Sequence, residues 1–486
     1  MTQNSALAPR SAWGERGAVA SGHPLASWTA FDILSRGGHA VDAAIAADAV
    51  LGVCEPMATG IGGDALALVI APDGTVTGFN GTGRSPRGLT AETLERATGS
   101  ARVPLRGPWS VTVPGAVGAW AALHERFGRL PFRDLVAPAA ALARDGFPVG
   151  PIVAREWRRF ADVLRADAEA MRVFRPDRPP GPGERFANPD LAATLDLIAR
   201  DGAEEFYRWL ADRAPAAVQA AGGVLDRTDI LAHTGVQGGF FCEPLRRRHG
   251  ALEVIELPPN THGVAVLDAL EALGPDPVDH DEAAGLVRMV EAVDDALTKA
   301  RATVCDAGNT VATAVVDAQG WCCILMSSVF KRFGSGLAVP GGGFVLQNRA
   351  HGFAEPGHPN GVAPGRRPYH TVIPGAALRD GLPFAVFGLV GGNMQPQGHV
   401  QMVSRMARGA TDPQAILDAP RFRVQEPKVV AVEEGIAPAM RDALAAAGYA
   451  VSVGNADFGG GQLIQRCGAG WAAGSDRRKD GIALAF

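Results

Sequence analysis

The 486-residue chain has no uncharged apolar run of the roughly 18–20 residues needed to cross a bilayer, so no membrane partner is expected. It has no basic excess either: 46 Lys and Arg stand against 51 Asp and Glu, a net charge of −5. Nucleic-acid binders normally show the opposite balance, so no nucleic-acid partner is expected. No CxxC occurs among its six cysteines, and Cys322 and Cys323 sit side by side in an apolar run. They read as buried thiols in a reducing compartment. The segment Met1–Gly17 is polar, carries Arg10 and Arg16 and lacks an apolar h-region. It reads as no signal peptide, and the expected location is the cytoplasm. There is no HExxH, no Cys/His cluster with zinc spacing and no G-x-S-x-G elbow. No metal or cofactor is expected.

What the chain does have is apolar material: 47% of its residues are hydrophobic, enough for a sizeable core. At about 150 residues per domain the length suggests two or three domains, although large single sheets also reach it. Its 61 Gly and 35 Pro are spread without a short period and read as many tight turns. Apolar positions at helical spacing run from Ala26 to Val53, split into two helices by Gly37 and Gly38. A strand is expected at 66–70, and an Asp73-Gly74 turn leads to a second at 76–79. From Gly115 to about Asp229 the pattern is helical and Ala-rich. A strand follows at 252–257 and an amphipathic helix at 286–300. The later chain reads as β-rich at 311–316, 322–329, 336–345, 383–390, 429–432 and 450–453, with a helix at 440–447. The class is α/β or α+β, with helices concentrated early and strands late.

Three motifs bear on chemistry. Gly60-Ile61-Gly62-Gly63-Asp64-Ala65 fits a loose G-x-G-x-x-A, but follows a helix and precedes a strand, the reverse of a dinucleotide loop. It reads as a turn. Gly308-Asn309-Thr310-Val311 opens an alternating strand, and most such strands are structural. Phe387–Val390 runs into Gly391-Gly392, where bare N–H groups can approach a ligand closely. That suits an oxyanion hole, although a plain turn is commoner.

Taken in order along nearly the whole chain, several blocks resemble the γ-glutamyltranspeptidase family of N-terminal-nucleophile hydrolases. They are Gly37-Gly38-His39-Ala40-Val41-Asp42-Ala43-Ala44, Glu55-Pro56 with Gly60-Ile61-Gly62-Gly63, Val113-Pro114-Gly115, and Leu257-Pro258-Pro259-Asn260-Thr261-His262-Gly263. Pro24-Leu25-Ala26-Ser27, Ala143-Arg144-Asp145-Gly146, Glu205-Phe206-Tyr207, Phe333-Gly334-Ser335-Gly336, Gly391-Gly392, Ala419-Pro420-Arg421-Phe422 and Gly459-Gly460-Gly461 complete the set. The resemblance implies an α+β fold, a four-layer αββα sandwich. It also implies a precursor that cuts itself at Asn309–Thr310 into a large segment, 1–309, and a small one, 310–486. The two remain packed as one intertwined heterodimer, and whether such heterodimers pair further is left open. Thr310 then becomes the nucleophile, and its free α-amine, titrating near ~8, the general base. Ser328 matches a hydroxyl that hydrogen-bonds the nucleophile, and Gly391 and Gly392 match the oxyanion pair.

The departures concern the substrate. The family's arginine for the glutamyl α-carboxylate aligns at Thr82, with Arg84 two residues on. Its aspartate for the α-amino group aligns at Gly352, its asparagine after the core strand at Phe330, and its paired serines at His370 and Thr371. Leu346-Gln347-Asn348-Arg349, Pro364–Thr371 and Gly391–His399 resemble instead the amidohydrolase branch, which includes oxamate amidohydrolase and cephalosporin-acylase-like proteins. Arg349 is a candidate anchor for a substrate carboxylate, or else a structural salt bridge. Tyr369, His370 and Thr371 are further pocket candidates. The expected activity is hydrolysis of a small acyl amide through a threonyl ester. The alternatives are a γ-glutamyl hydrolase or transferase, a biosynthetic member with chemistry such as C–C bond cleavage, and an unprocessed, non-catalytic homologue.

Overall fold

The computed structural model describes residues 11–233, 238–303 and 309–486. Gly308 and Cys305 lie outside the described residues. Two seven-stranded sheets form the centre. The first runs Ile482–Ala485, Ala18–Ser21, Asn309–Val316, Cys322–Phe330, Asp64–Ile70, Val76–Asn80, Phe240–Cys242. The second runs Ala12–Gly14, Gly470–Ser475, Gly460–Cys467, Leu382–Val390, Gly375–Arg379, Leu252–Glu256, Leu245–His249. Every pairing within both sheets is antiparallel.

Strand alternation sorts the buried side chains into layers. Leu66, Leu68, Ala312, Ala314, Ile324 and Met326 of the first sheet pack with Ile255, Ala376, Val386 and Ile464 of the second, so the sheets stack face to face. The other face of the first sheet, with Val69, Val315 and Leu325, packs on helices that include Ala40–Cys54 and Ala116–Phe127. The other face of the second, with Val254, Phe387 and Leu463, packs on Gly263–Leu273, Ala283–Thr303 and Met394–Ala407. Three apolar interfaces therefore separate four layers, helix, sheet, sheet, helix, as expected.

The early helix pair forms as Pro24–Ser35 and Ala40–Cys54. Gly37 takes the left-handed φ of 84° that separates them, and His39 with Asp42 makes the second helix's capping box. The segment 336–345 is not the expected strand. Gly336, Gly341 and Gly343 adopt φ of 82°, 67° and 76°, and only an isolated Ala338–Val345 bridge forms. The glycine turn at 60–63 permits close approach: a Cβ on Gly63 would lie 2.3 Å from the Ser328 carbonyl. No helix among the described residues is long and apolar enough to cross a membrane. Among the described residues, five cysteines are free thiols, with Cys54, Cys322 and Cys323 buried.

Candidate active site

Thr310 is the second residue of Asn309–Val316, a central strand of the first sheet. By alternation it shares a face with Ala312 and Ala314 and points between the sheets. Asn309 pairs with Phe330 and Val311 with Ser327, so the register slips here and Thr310 faces a bulge formed by Ser328 and Val329. Ser328 in turn pairs with Asp64 on the next strand. Three polar residues, Thr310, Ser328 and Asp64, thus sit at one end of three adjacent strands, on the inner face and fully buried.

The Ser328 hydroxyl oxygen accepts the Phe330 N–H at 2.8 Å. Phe330 holds a φ of 77°, a region a bulky residue rarely enters. That turn ends the strand and lays the Phe330 ring under Arg349, whose guanidinium carbon is 4.2 Å from the ring centroid. Arg349 is wholly buried, and among the described residues none of its three guanidinium nitrogens has a hydrogen-bond partner. Its nearest anion is Asp64, 3.9 Å from Nε. Burial lowers its pKa to about 10, which still leaves it cationic at neutral pH.

Asp64 joins this group to the strands. Its Oδ1 accepts from Gly83 N–H and from Gln347 Nε2, each at 2.8 Å. Its Oδ2 lies 3.3 Å from His370 Nε2. Burial pushes the Asp64 carboxyl up, but the close approach of His370, the Arg349 charge and the Gln347 hydrogen bond outweigh it and hold the pKa below the usual value. Burial, aided by the Arg349 charge, lowers His370 to about 4, so the imidazole is neutral. Val372 N–H donates to His370 Nδ1 at 3.2 Å, which puts the ring proton on Nε2, toward Asp64.

Of the other expected pocket residues, Tyr369 is buried and its hydroxyl hydrogen-bonds His262 Nδ1. Thr371 is buried, and its hydroxyl has no partner among the described residues. Thr82 is buried, and its hydroxyl donates to Asn80 Oδ1 at 2.6 Å. Arg84 is not brought to this group: it is exposed and donates to the Gly365 carbonyl at 2.8 Å.

Gly391 and Gly392 end the strand Leu382–Val390 of the facing sheet with φ of 118° and 65°. A Cβ on Gly391 would lie 2.9 Å from Gly459 Cα, so conformation and space both require glycine there. Both glycines line a cleft of about 600 Å³ whose walls include Arg159, Lys331, Arg332 and Arg423. The next helix, Met394–Ala407, begins at once, and its second residue, Gln395, donates from Nε2 to Thr310 Oγ1 at 2.8 Å. Glycine pair and threonine are thereby tied to one place from opposite sheets.

Sequence reasoning did not single out Asp64, Gln347 or Gln395. The available signal for Asp64 was a lone carboxylate at the head of the apolar strand Asp64–Ile70. Both glutamines lay inside the segments that carried the amidohydrolase resemblance.

Two stacked antiparallel sheets enclosed by helices, with an inward-facing polar cluster at one end, define an αββα hydrolase of the N-terminal-nucleophile class. A family model described as Gamma-glutamyltranspeptidase matches residues 26–308 and 298–486, and the chain belongs to that family. It is 30% identical over 457 residues to the glutathione hydrolase-like YwrD proenzyme of Bacillus subtilis, covering 85% of this chain and 86% of that one. It is 30% identical over 532 residues to the oxamate amidohydrolase proenzyme of Klebsiella pneumoniae, covering 97% and 98%. The crystal structure of cephalosporin acylase from Bacillus halodurans superposes with a TM-score of 0.93 at 34% identity, over 100% of this chain and 99% of that one.

Proposed function

We propose that this protein is a proenzyme that cleaves itself between Asn309 and Thr310 and then hydrolyses a small, carboxylate-bearing acyl amide. The family relatives are proenzymes, among them an oxamate amidohydrolase and a glutathione hydrolase-like protein, which supports self-processing. The fragments 1–309 and 310–486 stay together because their strands interleave. Asn309–Val316 pairs with Ala18–Ser21, Cys322–Phe330 with Asp64–Ile70, and Gly375–Arg379 with Leu252–Glu256.

After cleavage the Thr310 α-amine, near pKa ~8, takes the hydroxyl proton as Oγ1 attacks the amide carbonyl. The N–H groups of Gly391 and Gly392 receive the oxyanion. The amine returns the proton to the leaving nitrogen, and water then opens the threonyl ester. Ser328 shapes the strand end that places Phe330 and hence Arg349.

The observation that carries the substrate class is Arg349: a buried cation with an unpartnered hydrogen-bonding edge, stacked on the residue that pairs with Asn309. Such an edge matches a carboxylate bidentately. The Thr371 hydroxyl adds a neutral donor for the rest of the acyl group, and the neutral His370 ring lines the pocket with its Nε2–H turned toward Asp64. Tyr369 packs beside them, while Thr82 and Arg84, engaged with Asn80 and Gly365, frame the loop rather than the acyl group. A screen over oxamate, glutaryl and γ-glutamyl amides, with wild type and Arg349→Ala, tests this reading. Turnover of a carboxylate amide with KM raised in the variant is the expected result.

A further inference from the structure

The Gln395 amide has its orientation fixed from behind. Its Oε1 accepts the Ile373 backbone N–H at 3.3 Å, so the reversed amide would set two donors against each other. Nε2 must therefore face Thr310, and it does, 2.8 Å from Oγ1 and fully buried. The helix that carries Gln395 is anchored to the glycine pair: Gln395 N–H donates to the Gly392 carbonyl at 2.9 Å. From this geometry we infer that Gln395 is a catalytic residue in its own right, donating a hydrogen bond to the nucleophilic oxygen during both self-cleavage and turnover. The inference rests on Thr310 being the nucleophile.

The chemistry follows from the direction of the bond. A donor seated on Oγ1 occupies one lone pair and turns the hydroxyl's own proton away, toward whatever base removes it. In self-cleavage the Oγ1–carbon bond to Asn309 forms and the Asn309–Thr310 C–N bond breaks. The hydroxyl proton ends on the Thr310 nitrogen, which the shift frees as an amine, and water then opens the ester to an Asn309 carboxylate and the Thr310 hydroxyl. Negative charge passes through Oγ1 as its proton departs, and again when the ester is opened and Oγ1 leaves. A fixed N–H donor stabilises the oxygen at both moments without reorganising. Gln395 does not titrate, so it does this at every pH.

Self-cleavage needs no added substrate and is therefore the assay. Full-length protein is followed by intact mass over time, from pH 5 to 9, for wild type, Gln395→Glu and Gln395→Met. Methionine removes the donor, and cleavage should slow on the order of 10–100-fold at every pH. Glutamate keeps the shape but donates only when protonated, so its cleavage should slow at high pH and recover toward wild type as pH falls. Wild type should show no such recovery, and loss of packing alone would not create one. If Gln395→Glu fails to fold, Gln395→Met decides alone. Folded variants that cleave at the wild-type rate with its pH profile would overturn the role of Gln395 while leaving Thr310 in place. Faster cleavage by the glutamate variant at neutral pH would overturn it too. A wild-type chain that never cleaves would overturn both this role and the nucleophile on which it rests.

Discussion

The guanidinium of Arg349 stacks 4.2 Å above the ring of Phe330, and Phe330 pairs directly with Asn309, the residue before the candidate nucleophile. A cation is thus held beside the scissile region by an aromatic face, with its nitrogen edge left unpartnered. Stacking on a ring occupies the flat face of a guanidinium and spares the edge that hydrogen-bonds carboxylates.

Under the proposed function this relationship sets the specificity. A γ-glutamyl head carries an ammonium as well as a carboxylate. At the position of the family's aspartate stands Gly352, which has no side chain, and Thr82 already donates its hydroxyl to Asn80. Each charge-assisted contact is worth roughly 1.5–3 kcal/mol, so losing two costs on the order of 10²–10⁴ in kcat/KM. γ-Glutamyl-p-nitroanilide should be a poor substrate, and a compact amide with a carboxylate but no α-ammonium a better one. Arg349→Ala should raise KM for the better substrate more than it lowers kcat. Efficient turnover of the anilide, indifferent to Arg349→Ala, would restore a transpeptidase specificity.

The glycine pair is tested separately. Gly392 holds a φ of 65°, where a branched residue is strained, and its N–H is assigned to the oxyanion. Gly392→Val should lower kcat on the order of 10²–10³-fold with a smaller change in KM. Steady-state kinetics on folded, processed protein decides it, and a fully active variant would remove the pair from the mechanism.

Acid should destabilise the fold. Burial lowers His39, His233 and His370 to about 4 and His399 to about 3, so the unfolded chain, titrating near 6.5, binds more protons than the folded one. Their contribution is complete above pH 6.5 and is lost as pH falls toward 4. Asp48, raised to about 6 by burial, and Glu256, Asp229 and Asp317, also raised by burial, act in the opposite sense, but burial lowers His23, His249, His280 and His351 as well, so the histidines outnumber them. Thermal unfolding between pH 7.5 and 4.5 should show Tm falling with pH. A Tm that holds or rises on acidification would contradict this assignment.

Several elements were legible because local rules governed them, while the four-layer arrangement came only from the family resemblance. The Gly37-Gly38 break, the alternation at 311–316 and the Asp73-Gly74 turn each fixed an element without help from distant residues. The helix Met394–Ala407 was not among the expected elements, and it carries Pro396 and Gly398. Pro396 falls in the first turn, where its missing N–H has no intrahelical partner to lose. The glycines of 336–345 worked the other way, dissolving an expected strand. The site was legible only as separate motifs. Asp64 meets His370 and Arg349 across some three hundred residues of chain, and no periodicity encodes such a meeting. Gln395 acquires its role only when two sheets stack.

The most direct test of the whole account is the intact mass of purified protein after incubation, with the N-terminal sequence of the smaller fragment. The account predicts two chains, 1–309 and 310–486, co-purifying, the smaller beginning Thr310-Val311-Ala312, and a Thr310→Ala variant that stays whole. A wild-type chain that remains intact, or a fragment beginning at any other residue, would contradict it.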